Sequence, residues 1–100
     1  MNHDKPYSPV EFNQQTARIT WPELERHFAR GVVIEVDAGL DLVEVATSFA
    51  NDEQPVVQEW LAAGQVQPLS TDTARRWNRG DAELWAVVVA PWVLVQERTT

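Results

Sequence analysis

Apolar residues recur along the chain at two spacings, and the change from one spacing to the other separates predicted helices from predicted strands. Helical spacing marks four ranges: 9–18, 21–30, 42–50 and 53–63. The residue before each range is of a type that caps helices: Ser8, Thr20, Asp41 and Asp52. A Glu follows each of the first three caps at the spacing of a capping box. The sequence therefore predicts four helices whose starts are defined locally.

Short runs of β-branched residues lie between and after these helices. Three runs are predicted as strands: 32–36, 84–89 and 92–95. We expect residues 32–36 to pair with residues 84–89 in one sheet. Pro91 lies between the last two runs, which leaves open whether they form two strands or one bent strand. A weaker candidate, residues 66–69, contains Pro68, which favours a position at a sheet edge.

The order of these elements predicts a small single domain of the α+β class, with a small and largely antiparallel sheet. A short polar helix over residues 70–79, capped by Ser70 or Thr71, separates the strand candidates. The order resembles that of a winged helix, and residues 41–64 are typical of a helix-turn-helix-like pair; a generic α+β layer is the alternative. Three ranges are expected: a flexible N-terminus over 1–7, the domain over 8–97 and a C-terminal tail over 98–100.

The composition adds limits on the compartment of the protein. A chain of 100 residues that is 44% hydrophobic can bury a stable core without disulfides or a bound metal. It contains no Cys, so it has no disulfide and no thiolate metal site, which favours the cytoplasm. The longest apolar run, residues 84–95, is too short to span a bilayer, and residues 1–7 lack a signal-peptide pattern. We therefore expect a cytoplasmic protein with no membrane partner.

The formal net charge of −7 argues against nucleic acid as a default partner. The predicted helix over residues 53–63, which would read DNA in a winged helix, contains no basic residue. Arg75, Arg76 and Arg79 form a local basic patch where a wing would lie. A solvated helix face in which these arginines pair with Asp72 or with the helix C-terminus is preferred to a phosphate-binding patch.

Candidate catalytic and metal-binding patterns are sparse. Glu23 and His27 are four residues apart, but two ligands do not make a closed metal site, and a surface pair on a helix is the preferred interpretation. Asp37, Asp41 and Glu44 lack the spacing of a calcium loop. No nucleophile motif and no phosphate-binding loop occurs. We predict no catalytic, cofactor-binding or metal-binding residue, although a carboxylate pair assembled by the fold remains open as a source of enzyme activity.

The five Trp residues mark either core or contact positions. Trp21 and Trp60 lie on apolar helix faces and are predicted core residues. Trp77 lies in a polar stretch, where it either docks that stretch onto the domain or makes a surface contact. Trp85 and Trp92 flank strands so apolar that both faces need cover. We expect a homodimer or a protein partner that contacts Trp85 or Trp92, with Trp77 at the periphery.

Three strings in the chain resemble a known family: LDLVEVA at residues 40–46, WLAAG at 60–64 and LWAVVVAPWVLVQE at 84–97. The family is one of short bacterial proteins of about this length, catalogued as a domain of unknown function. The resemblance covers most of the chain and implies a bacterial, cytoplasmic protein. It brings no activity, ligand or catalytic residue to this sequence.

Two functions from different classes are compatible with these patterns. The first is a noncatalytic protein-interaction module that uses the Trp-bearing strands. The alternative is a winged-helix nucleic-acid-binding regulator that uses residues 75–79. The acidic charge favours the first.

Overall fold

One mixed sheet of five strands forms the centre of the fold, with helices on both of its faces. A computed structural model describes residues 9–80 and 82–98. The helices in this part of the chain are α1 Pro9–Gln15, α2 Trp21–Ala29, α3 Leu42–Ala50, α4 Gln54–Ala62 and α5 Thr71–Asn78. The strands are β1 Ala17–Ile19, β2 Val33–Val36, β3 Val66–Pro68, β4 Glu83–Val89 and β5 Trp92–Arg98. The protein is a small α+β domain, as the sequence predicts.

The order of strands in the sheet is β1-β4-β5-β2-β3. The β2–β5 pair is parallel and the other neighbours are antiparallel. The predicted pairing of residues 32–36 with 84–89 is wrong, because β5 lies between β2 and β4 and pairs Leu94 with Ile34. The turn at Ala90 and Pro91 separates β4 from β5, so the C-terminal apolar run is two strands. Strand β3 lies at an edge with Pro68, as its sequence indicates.

Each face of the sheet has its own core. Helices α1, α3 and α4 pack on the side that we call the α3 face, whereas α2 and α5 pack on the opposite side, the α5 face. Side chains alternate between the two faces along each strand: Leu94 joins the α3-face core, and Val93 and Val95 join the α5-face core. The chain's own helices therefore cover most of the apolar side chains that the sequence assigned to an intermolecular contact.

Hydrogen bonds at the helix starts follow the sequence pattern closely. Asp41 Oδ1 accepts from the N–H of Val43 at 2.9 Å at the start of α3. Glu23 Oε1 accepts from the N–H of Thr20 at 2.9 Å before α2, and the Ser70 hydroxyl accepts from the N–H of Thr73 at 3.1 Å in α5. The predicted Ser8 cap lies outside the described residues. These local acceptors explain why three of the helix starts are predictable from sequence.

Two predicted helix boundaries are wrong. The first helix ends at Gln15 instead of residue 18, because the Thr16 hydroxyl donates back to Phe12 O at 2.6 Å and the chain then extends into β1. The fourth helix is capped by Glu53 instead of Asp52. Asp52 adopts a positive φ of 55°, a turn conformation that Asp tolerates better than most residues.

The winged-helix order is not confirmed. A parallel strand pair lies inside the sheet, and helices cover both of its faces. Arg75 and Arg76 belong to α5, which Arg79 terminates, so the predicted wing is a helix packed on the α5 face. Within the described residues, no helix is long and apolar enough to cross a membrane.

Candidate functional site

Val88 is exposed although it lies in one of the most apolar strands of the chain. Its neighbours Val87 and Val89 are buried, whereas 57% of the surface of Val88 is accessible. The side chain of Val88 points to the α5 face, opposite Val93 across the β4–β5 pair. An exposed valine within a central apolar strand marks the sheet edge beside it as a candidate contact surface.

The backbone N–H and C=O of Val88 point towards an open edge of the sheet. The N–H of Val93 donates to Val32 O at 2.9 Å and so points towards β2. Opposite residues in an antiparallel pair exchange both hydrogen bonds or neither, so Val88 directs its own groups away from β5. On that side β1 begins at Ala17, opposite Ala86, and Gln15, which would face Val88, already belongs to α1. We call this position of β4 the open edge.

No other backbone group closes the open edge in the described chain. Among the turn, loop and cap hydrogen bonds of residues 9–80 and 82–98, none involves Val88. Unpaired strand groups of this kind are a template for pairing with another strand. The open edge can therefore accept the backbone of an extended segment.

A cleft of about 480 Å³ lies beside the open edge on the α3 face. We call it the Trp92 cleft, and its walls include Glu11, Phe49, Asp52, Gln58, Val88 and Trp92. Trp92 is 37% exposed. No Lys, Arg or His from the described residues lines this cleft, whereas two carboxylates do. The arrangement of an exposed indole beside carboxylates suits a cationic group.

A second cleft, of about 460 Å³, lies on the other face of the sheet at the same edge. We call it the Arg26 cleft, and its walls include Gln15, Glu23, Arg26, His27 and Val88. Glu23 is already engaged there, because its Oε1 accepts from the N–H and the hydroxyl of Thr20 at 2.9 and 3.1 Å. These hydrogen bonds keep the pKa of the Glu23 carboxyl below its usual value. Val88 and Gln15 line both clefts, so the open edge joins them.

The structure separates the Trp residues that the sequence proposed for contact. Trp92 lies in a cleft wall, as described above. Trp85 is half-buried: its Nε1 donates to Glu83 Oε2 at 3.1 Å, and the Arg98 guanidinium lies 4.9 Å from its ring centroid. Trp77 is only 1% exposed and docks α5 onto the sheet, which leaves it no surface for a peripheral contact.

The three candidate arginines do not form a free basic patch. Arg76 Nη1 lies 2.7 Å from Glu97 Oε1 on β5. Arg75 and Arg79 are exposed at the end of α5. This geometry matches the preferred sequence interpretation of a solvated helix face with ion pairing, although the partner of Arg76 is Glu97 and not Asp72.

Two carboxylates on the α5 face have opposite pKa shifts. Burial raises the pKa of Glu35, whose Oε1 is buried without a hydrogen-bond partner among the described residues. Burial opposes ionisation of Glu97 as well, but hydrogen bonds from Trp77 and Arg76 hold the pKa of Glu97 below its usual value. Neither carboxylate lines the Trp92 cleft or the Arg26 cleft. Both clefts therefore lie away from this pair.

Replacing Glu35 by Gln is expected to stabilise the protein at neutral pH. A carboxyl whose folded-state pKa is raised contributes its stability only at low pH, and this contribution is lost as pH rises through the folded-state pKa. Gln does not ionise, so a Gln at position 35 does not lose this stability as the pH rises. The free energy of unfolding should therefore increase at about pH 7, by less than about 1 kcal/mol because solvent screens the partly exposed side chain. The gain should vanish below about pH 4, where the carboxyl is protonated in both states.

Urea unfolding of both proteins across this pH range measures the effect. The matched control is Glu59→Gln, which removes one charge from an exposed position on α4. A gain of equal size in the control would assign the effect to net charge and contradict the role of burial.

No metal centre is formed by the described residues: no group of three or more His, Asp or Glu lies together. His27 Nδ1 lies 3.4 Å from an Nη2 of Arg30, and Glu23 bonds to Thr20. Asp37 Oδ2 accepts from the N–H of Gly39 at 2.9 Å, so this carboxylate fixes its own turn.

Sequence reasoning identified Trp92, treated Glu23 and His27 only as a surface pair on a helix, and missed the rest of the site. Val88 lies in a run that the pattern assigns to buried strand, and Glu11 and Asp52 were interpreted only as helix-start residues. Gln15 gave no signal. These residues lie together because β1 begins at Ala17, and no local sequence pattern predicts where that strand begins.

The fold and the site define a small α+β domain with an open strand position between two clefts. The chain belongs to the family DUF2288, described as a protein of unknown function, whose model matches residues 9–97. It is similar to PA1075 from Pseudomonas aeruginosa, known from an NMR solution structure, with 42% sequence identity and a TM-score of 0.81 over 100% of this chain and 95% of that chain. Among curated proteins, none matches.

Proposed function

We propose that this protein is a noncatalytic protein-interaction module that binds an extended segment of a partner protein at the open edge. The observation that carries the proposal is the outward-pointing backbone of Val88, which has no strand residue opposite it among residues 9–80 and 82–98. The absence of Cys in the sequence supports a place in the cytoplasm, and the family resemblance supports a bacterial source.

Strand addition uses the two kinds of contact that this edge offers. Backbone hydrogen bonds supply affinity, and pockets on alternate sides of the added strand supply specificity. The Trp92 cleft and the Arg26 cleft lie on opposite faces of the sheet and meet at Val88. The exposed indole of Trp92 is of the type that anchors protein contacts.

The alternative, a nucleic-acid-binding regulator, has weaker support. Arg76 is neutralised by Glu97, and the helix α4 contains no basic residue. The net charge of −7 repels phosphate at long range. We therefore keep the protein-interaction module as the proposed function.

Site-specific photo-crosslinking in the natural host tests the proposal. p-Benzoylphenylalanine placed at Val88 should give a discrete adduct with one partner protein, which mass spectrometry of the adduct identifies. The control places the same residue at Leu61, an exposed apolar position on α4 that lines neither cleft. The same adduct pattern from both positions, or no adduct from Val88, would contradict binding at the open edge.

A second variant separates binding from folding. Val88→Pro removes an N–H that makes no bond within the sheet, so the fold should tolerate it as an edge proline. The identified partner should then lose at least about tenfold in affinity, because Pro cannot donate and its ring fills the edge. Unchanged affinity in a folded Val88→Pro protein would contradict strand addition.

A further inference from the structure

We infer that the partner segment carries a basic residue next to an acidic residue, with the basic side chain in the Trp92 cleft and the acidic side chain in the Arg26 cleft. This inference rests on the proposed function, because it specifies the chemistry of the segment that the open edge accepts. It follows from three features: the alternation of side chains along a strand, the negative charge of the Trp92 cleft and the positive charge of the Arg26 cleft.

Adjacent residues of an added strand must enter different clefts. Successive side chains of a β-strand point to opposite faces of its sheet. The Trp92 cleft lies on the α3 face and the Arg26 cleft on the α5 face, and Val88 lines both. A residue paired beside Val88 therefore reaches one cleft, and its neighbour in the segment reaches the other.

The Trp92 cleft selects a positive charge. Glu11 and Asp52 are exposed carboxylates in its walls, and no basic residue of the described chain lines it. A Lys or Arg side chain there gains attraction from the carboxylates and from the face of the Trp92 indole. The apolar stem of such a side chain also covers the aromatic surface, which a short acidic side chain does not.

The Arg26 cleft selects a negative charge. Arg26 is exposed on α2, and the adjacent His27 lines the same wall. Glu23 is the acid in this cleft, but its carboxylate is held by Thr20 at the start of α2. Arg18 also lines this cleft, but its Nε lies 3.9 Å from Glu83 Oε2. The Arg26 guanidinium is thus the group that we expect to pair with an acidic side chain of the segment.

A second copy of this chain fits the open edge poorly. In a two-fold symmetric dimer whose two β4 strands pair antiparallel, the α3 faces of both sheets lie on the same side. The two Trp92 clefts would therefore lie next to each other. Each cleft contributes the carboxylates Glu11 and Asp52, and each chain carries a net charge of −7. Like charges in contact oppose this dimer, whereas a segment of mixed charge satisfies both clefts.

NMR titration of the full chain with three blocked hexapeptides tests the inference. The peptides are Thr-Val-Lys-Glu-Val-Thr, the same sequence with Lys-Lys at its centre, and the same sequence with Glu-Glu. The mixed peptide should shift the Val88 amide and the Trp92 indole signals and bind at least about fivefold tighter than either single-charge peptide.

Charge variants of the protein assign each preference to its cleft. In the double variant Glu11→Gln with Asp52→Asn, the advantage of the mixed peptide over the Glu-Glu peptide should disappear. In Arg26→Gln, its advantage over the Lys-Lys peptide should disappear. Glu59→Gln, outside both clefts, is the control and should leave both preferences intact.

The outcomes separate the inference from the proposed function. Equal binding of all three peptides at Val88 would overturn the charge assignment and leave strand addition in place. If no peptide shifts the Val88 amide, both are overturned. A dimer in sedimentation that Val88→Pro dissociates would replace the partner segment with a second copy and overturn the inference.

Discussion

Replacing Trp77 by Ala is expected to lower the free energy of unfolding by about 3 to 5 kcal/mol. The Trp77 side chain is 1% exposed and lies in the α5-face core with Leu69 and Val95. Its Nε1 donates to Glu97 Oε1 at 3.0 Å, so truncation removes both packing and a hydrogen bond to a charged group. Small domains are stable by about 5 to 15 kcal/mol, so this loss takes a large share.

Urea unfolding followed by far-UV circular dichroism measures this loss. The control Trp77→Phe keeps an aromatic ring in the core and removes the indole donor, so its loss should be smaller. Arg76→Ala removes the other donor to Glu97 from an exposed side chain, and its cost should stay below about 1 kcal/mol. A Trp77→Ala protein with the unfolding midpoint of the parent would show that α5 does not depend on this anchor.

Replacing Gln96 by Leu is expected to cost about 1 to 3 kcal/mol, although the two side chains are similar in size. Gln96 is 3% exposed, and its Nε2 donates to Asp37 O at 2.9 Å and to Leu40 O at 2.7 Å. Leu leaves Leu40 O without this donor, whereas Asp37 O keeps the N–H of Leu40, and an acceptor left unsatisfied costs about 1 to 3 kcal/mol. The turn between β2 and α3 thereby loses its attachment to β5.

Two measurements check this effect. Urea unfolding gives the global loss, and amide hydrogen exchange at Leu40, whose N–H donates to Asp37 O at 3.0 Å, reports on the turn itself. The control is Gln14→Leu at an exposed position of α1, which should change stability by less than about 0.5 kcal/mol. Equal effects of the two substitutions would show that the Gln96 hydrogen bonds contribute nothing to the fold.

These two anchors keep the sheet in place around the site without touching either cleft. Trp77 and Gln96 fix helix α5 and the turn before α3 to strand β5, which is the neighbour of β4. Their substitution should act on stability, whereas the charge variants of Glu11, Asp52 and Arg26 should act on binding. The two sets of variants therefore separate the scaffold from the surface that it supports.

The starts of α2, α3 and α5 were predictable because each is decided within a few residues. Asp41 bonds to the N–H of Val43, and Ser70 bonds to the N–H of Thr73. The hydrophobic spacing that follows each cap then sets the buried side of the helix. The same local logic placed Pro68 in an edge strand, because Pro has no N–H for a ladder.

Strand neighbours were not predictable in the same way. Strands β2, β4 and β5 each carry apolar residues on both faces, so each fits beside either of the others. Strand β1 was missed altogether, because three residues with mostly exposed side chains carry too little pattern to distinguish a strand from a helix end. Its pairing with β4 brings together residues far apart in the chain.

The sequence by itself determined the α+β class, the family resemblance and the starts of α2, α3 and α5. Only the tertiary structure decided that β5 lies between β2 and β4 and that Trp77 is core. It alone also shows that the β1–β4 pairing stops at Ala17 and Ala86, two residues short of Val88. The physical reason is that helix caps and hydrophobic periodicity depend on residues a few positions apart. An open strand edge depends instead on where a strand distant in the sequence stops pairing, here β1 beside β4.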